Sequence, residues 1–149
     1  ATILTLAFGW PLALVGLLLV LLMVTGLGLS GWETFSVNFL VMAGFPVLVA
    51  AVVHELVHRK LPANIFVYIF GSAFLGAALA LGGLAAASSA VLVLSGAYPL
   101  GELLREYLRY FPLLMFPEAF ISGGILSILV VYRPEWVVTF DDERYLGTK

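Results

Sequence analysis

From residue 1 to residue 32 this sequence carries no charged side chain, and its run GWPLALVGLLLVLLMVTGLGL (9–29) holds a single hydroxyl, Thr25. About 20 consecutive apolar residues are what a helix needs to cross a bilayer. Runs of this kind recur as far as residue 132. Over 149 residues the chain is 62% hydrophobic and 11% charged, with a mean hydropathy of +1.11. A water-soluble domain of this length could not cover itself with so few polar groups, so lipid is the solvent. In lipid every backbone N–H and C=O must be satisfied within its own element, which leaves helices or a closed barrel. These runs are far longer than a barrel strand of about 10 residues and do not alternate. The expected fold is therefore an all-α integral membrane protein, a single transmembrane domain over residues 1–149.

The punctuation divides the chain into about four spans. Residues 1–8 are too short to cross and read as the end of a helix that began earlier. Gly9-Trp10-Pro11 is a break, with Pro11 suited to the first turn of the next helix. The spans are then about 12–29, 35–57, 65–95 and 112–132. The second holds Asn38 and a bend at Pro46. The third, too long for one upright crossing, is expected to tilt, to project, or to bend at Gly82-Gly83. Within it, Ser72, Gly76 and Ala80 form a small-residue face suited to close helix packing. Between the third and fourth spans, GELLREYLRYF (101–111) places Glu102, Arg105, Glu106 and Arg109 on one face. Leu103, Leu104, Tyr107, Leu108 and Phe111 take the other, so an amphipathic helix lying at the interface is expected. The tail RPEWVVTFDDERYLGTK is polar, with Trp136, Phe140 and Tyr145 as possible anchors.

Charge narrows the classes further. Net charge is −2 with no basic block, which argues against a nucleic-acid partner. With no cysteine, thiolate metal sites, iron–sulfur ligation and disulfides are excluded. Arg59, Lys60, Arg133, Arg144 and Lys149 fall on one side of the expected spans, and Arg105 and Arg109 on the other. The positive-inside rule puts the 58–64 loop and the C-terminus in the cytoplasm. No basic leader or cleavage site precedes the first apolar run, so no signal peptide is expected.

HELVH (54–58) fits the zinc-peptidase pattern H-E-x-x-H. On a helix His54 and His58 share a face and could hold a divalent metal, with Glu55 activating a bound water. A catalytic zinc needs a third ligand. Membrane proteases of the site-2 type take it from an Asp-Gly segment, and this chain has no Asp-Gly. Glu118 is the one acidic residue in a later span, but it lies near the opposite end of its helix from His54, roughly 15 Å away in a core about 30 Å thick. Asp141, Asp142 and Glu143 lie on the correct side, in a tail that would have to fold back. The plainer reading is a helix end where basic groups complement the dipole.

Glu118 is the most informative polar residue. A carboxylate in a span costs about 3 kcal/mol on insertion scales and normally faces a partner, a cavity or a pathway. Pro117 before it frees a backbone carbonyl one turn back, and Gly123-Gly124 would admit another helix. Asn38 lies in the same half of the membrane, so Asn38 and Glu118 could meet as an intramembrane polar pair.

LPANIFVYIF (61–70) and FPEAFISGGILSILVVYRPEWVVTFDDERYL (116–146) resemble the CbiM/NikM-like family, membrane components of energy-coupling-factor cobalt and nickel transporters of the bacterial inner membrane. GWPLALVGLLLVLL resembles the family's mid-protein helix, and Asn38 matches an asparagine in the helix after it. The resemblance implies a permease that captures a divalent metal ion and works with an ATPase and a coupling protein. In the family the metal is held by the N-terminal amine, a histidine at position two, and a histidine just before the segment matching residues 1–8. None of these positions is present here, so the resemblance carries over no ligand, and the metal-binding part is expected to be missing at the N-terminus. The alternative reading is a non-catalytic accessory subunit of a larger membrane complex, and a distant one is an intramembrane zinc protease.

Overall fold

A computed structural model describes residues 1–141 and Tyr145. Asp142, Glu143, Arg144 and Lys149 lie outside the described residues. Among those described, every regular element is helical. Helix α1 (Thr2–Phe8) ends at Gly9, whose φ of 82° lets the chain reverse into α2 (Trp10–Gly26), with proline in the first turn. Helix α3 (Trp32–Lys60), α4 (Ile65–Leu94) and the run Leu100–Tyr132 are each long and apolar enough to cross a membrane, while α2 is a shorter apolar helix. The last run comprises α5 (Leu100–Glu106), a tight turn at Leu108–Tyr110 and α6 (Phe111–Tyr132). The fold is an all-α membrane architecture, as the apolar runs require.

Helices α3, α4 and α6 pack side by side, with α1 inserted among them. The interior is built of small groups: Ala43, Ala50, Ser72, Ala73, Ala77 and Ala80 are buried. The bulky residues face out, with Met23, Leu113 and Phe116 each at least 70% exposed. Lipid is as apolar as leucine, so helices gain by close backbone approach, and small residues collect between them. The expected Ser72–Gly76–Ala80 face is part of this buried seam. Two glycines show how tight it is. A Cβ on Gly123 would sit 2.0 Å from the Phe74 ring, and one on Gly83 would sit 3.0 Å from Phe45.

Some local expectations change. Helix α4 runs unbroken through Gly82-Gly83, which serve as packing notches, and its irregularity is a π-helical stretch at Tyr68–Leu75. Helix α3 has a π-helical stretch at Leu40–Gly44, just ahead of Pro46. Proline lacks an N–H, and the helix accommodates the missing donor by widening its turn. The amphipathic segment is present as α5 and the turn after it. Leu103 and Phe111 are buried and its charged residues exposed, but Leu104 also lies exposed.

Candidate functional site

The polar residues singled out in the sequence fall at three levels of the bundle. The lowest contains the histidines. His54 Nδ1 shares a hydrogen bond with Ser72 Oγ at 3.1 Å, and His58 Nδ1 shares one with the Tyr145 hydroxyl at 3.0 Å. The two imidazoles lie 5.8 Å apart, and His54 meets the edge of Tyr68 at 5.8 Å. Glu55 points elsewhere and pairs with exposed Arg59. Among the described residues, no group of three His, Cys, Asp or Glu is placed to hold a metal ion.

The tail does fold back, and it docks on this level. Helix α1 ends with carbonyls that its own turns cannot satisfy. The Val138 N–H donates to the Ala7 carbonyl at 2.9 Å, and the Thr139 N–H donates to that of Leu6 at 3.3 Å. The Thr139 hydroxyl also donates to the Leu6 carbonyl, at 2.7 Å. A threonine hydroxyl has one hydrogen, so it is the Tyr68 hydroxyl that donates to Thr139 Oγ1, also at 2.7 Å. Around this chain Tyr68, Phe140 and Tyr145 pack with ring centroids 5.1 to 5.2 Å apart. Of the three expected anchors, Phe140 and Tyr145 are buried in this cluster, whereas Trp136 is 58% exposed with the Arg133 guanidinium over its ring. Sequence reasoning missed Tyr68 and Thr139. Tyr68 was legible as a tyrosine inside an apolar span, where a hydroxyl needs a partner.

Glu118 occupies the middle level. Its carboxylate accepts a hydrogen bond from Ser122 at 3.2 Å and lines a cavity with Ala80, Leu81, Met42 and Pro46. Ser72 and Ala80 are eight residues apart on α4, so Glu118 lies about 12 Å along the axis from His54. The separation agrees with the expected difference in depth and keeps Glu118 from joining the histidines on one ion, since metal–ligand bonds are about 2 Å.

Asn38 takes the third level, and the expected Asn38–Glu118 pair does not form. The Asn38 amide donates to Ser30 Oγ at 2.9 Å and Thr34 Oγ1 at 3.2 Å. It shares a separate cavity with Ser88 and Leu92, about two turns of α4 beyond Ala80. Asn38 can reach Ser30 and Thr34 because they lie just ahead of it in the turn entering α3, and local partners prevail over a distant carboxylate.

Residues 1–136 match the family described as the cobalt uptake substrate-specific transmembrane region, CbiM. The chain belongs to this family. No curated protein and no solved structure matches it. It is thus a membrane protein of a cobalt-uptake transport family, consistent with the helices that are long and apolar enough to span a bilayer.

Proposed function

We propose that this chain is the membrane permease component of an energy-coupling-factor transporter that takes up a divalent metal ion of the cobalt or nickel type. A coupling protein and an ATPase would be its partners, in the bacterial inner membrane. The observation that carries the reading is the family match over residues 1–136 on a helical bundle whose large apolar side chains face outward. The basic residues Arg59, Lys60 and Arg133 gather at the end where the tail docks on His58, which supports a cytoplasmic C-terminus.

The test is cobalt and nickel accumulation in cells carrying the native transporter, with this chain present or deleted. Accumulation should require both this chain and a working ATPase. Equal accumulation with and without the chain overturns the proposal.

An accessory-subunit role is favoured by one observation: His58 is engaged with Tyr145 of the chain's own tail, and His54 with Ser72 of a neighbouring helix. Stoichiometric co-purification with an unrelated enzyme complex, without metal, would establish it.

A further inference from the structure

At the end of the bundle away from the docked tail, α4 and α5 leave an apolar groove of about 450 Å³ between them. Ala86, Ala90, Val93 and Leu94 of α4 form one side, and Leu100 of α5 and Leu108 of the turn after it form the other. The groove is hollow because α4 presents alanine where a larger side chain would reach across. The Ser89 hydroxyl, also at its wall, already donates to the Ala85 carbonyl at 2.8 Å, so its hydrogen needs no further partner. The groove therefore suits an apolar occupant. It borders about 12 Å of α4, from Ala86 to Leu94. A helix about 10 Å across would need roughly 940 Å³ over that length, twice what the groove offers. A helix laid there would stand half outside, whereas a hydrocarbon chain fits within.

The segment that borders the groove also carries charges of both signs. Glu102, Arg105 and Glu106 of α5 and Arg109 of the turn after it are all exposed. The ion pairs among the described residues are Glu55–Arg59 and Glu135–Arg133, and none of these four takes part in either. The Arg109 guanidinium lies over the Tyr110 ring, 5.8 Å from its centroid. Glu102 and Glu106 are four residues apart on α5, a like-charge spacing that disfavours an isolated helix. The two glutamates gain from a cation supplied from outside, and the two arginines from an anion.

A zwitterionic lipid headgroup supplies both. Phosphate accepts paired N–H bonds from guanidinium groups, and a primary ammonium donates to carboxylates. In a bilayer an acyl chain is as well solvated by other chains as by leucine and alanine, so the groove contributes only packing and does not choose between lipids. The choice falls to the headgroup.

We propose that α5 and this groove bind one phospholipid with an ethanolamine headgroup. One acyl chain lies in the groove, the phosphate meets Arg105 and Arg109, and the primary ammonium meets Glu102 and Glu106. The lipid thereby ties α5 to α4. A choline headgroup bears the same charges but has no N–H to donate, and a glycerol headgroup has no cation for the glutamates. The inference does not depend on the uptake function proposed above.

The test strips the full-length protein of lipid in detergent and titrates it with dioleoyl phosphatidylethanolamine, phosphatidylcholine or phosphatidylglycerol, with bound lipid counted by native mass spectrometry. The ethanolamine lipid should bind about tenfold more tightly than either of the others, the difference expected for a charge-assisted hydrogen bond. In the double variant Glu102→Gln/Glu106→Gln that preference should vanish. Arg105→Gln/Arg109→Gln should weaken all three lipids, and so should Ala90→Phe, which fills the groove and leaves the charges in place. The substituted side chains are exposed, so thermal unfolding without lipid should match the wild type and shows that the variants are folded. Equal affinity for the three lipids overturns the site and leaves the groove to ordinary surrounding lipid. Tightest binding of phosphatidylglycerol also overturns it, since the arginines alone then select the ligand. A photo-crosslinking residue in place of Ala90 that joins a second protein chain in native membranes, rather than lipid, overturns it as well.

Discussion

The two ends of the buried seam treat polar groups in opposite ways. At the histidine end, each polar group meets another: Ser72 with His54, Tyr145 with His58, and Tyr68 through Thr139 to the open end of α1. At the Glu118 level, a carboxylate that accepts from Ser122 borders a cavity that Ala1 also lines, beside the π-helical stretch of α3. The pattern with the stronger sequence signature, HELVH, thus sits in the more self-contained region. Glu118 sits beside a cavity. A short motif reports spacing along one helix, whereas a binding site needs vacant volume and groups from several helices.

Four substitutions would break or sharpen this contrast. Tyr68 is fully buried and links α4, the tail and α1. Tyr68→Ala should destabilise the protein by about 3–5 kcal/mol, read as thermal unfolding in a lipid nanodisc. A cost below about 1 kcal/mol would show that the aromatic cluster does not anchor the tail.

Gly123→Ala comes next. Its Cβ would meet the Phe74 ring near the base of that side chain, where the ring cannot swing aside, and overpacking of this kind costs about 1–3 kcal/mol. Gly124→Ala, whose Cβ has nothing within 4 Å, is the control and should leave unfolding unchanged. Equal effects at the two positions would refute the close approach of α4 and α6.

Thr139→Val removes the hydroxyl that receives Tyr68 and caps Leu6. It leaves the Tyr68 hydroxyl and one carbonyl bond unmet, at about 1–3 kcal/mol. Hydrogen exchange at the Val138 and Thr139 amides should accelerate together. Unaltered protection of both amides would mean that the tail is held by its aromatic rings alone.

The smallest effect is expected at Arg59→Ala. Its pairing with Glu55 is solvent-exposed, with side-chain exposures of 74% and 51%, and such pairs contribute less than about 0.5 kcal/mol. A larger loss would tie Glu55 into the histidine region more closely than its geometry indicates.

How much of this was legible in the sequence differs by level of organisation. The all-α membrane fold, the limits of the long helices and the break at Gly9 followed from apolar run length and from proline and glycine placement. The depth separation of Glu118 from His54 followed from counting residues along helices. The pairing of Asn38 with Glu118 did not hold, because sequence position gives depth only to within a turn or two, and a side-chain amide reaches only its immediate neighbours. Tail docking was also beyond reach. Thr139 and Leu6 are 133 residues apart, and no local periodicity encodes a contact of that range.

What the sequence determined by itself was the solvent. Backbone groups in lipid must be satisfied locally, so hydropathy alone commits the chain to helices and sets their lengths. What only the tertiary structure decided was the use of each polar side chain. The value of a buried hydroxyl, imidazole or carboxylate depends on what faces it from another helix. For the histidines that proved to be Ser72 and Tyr145, and for Glu118 it was a cavity.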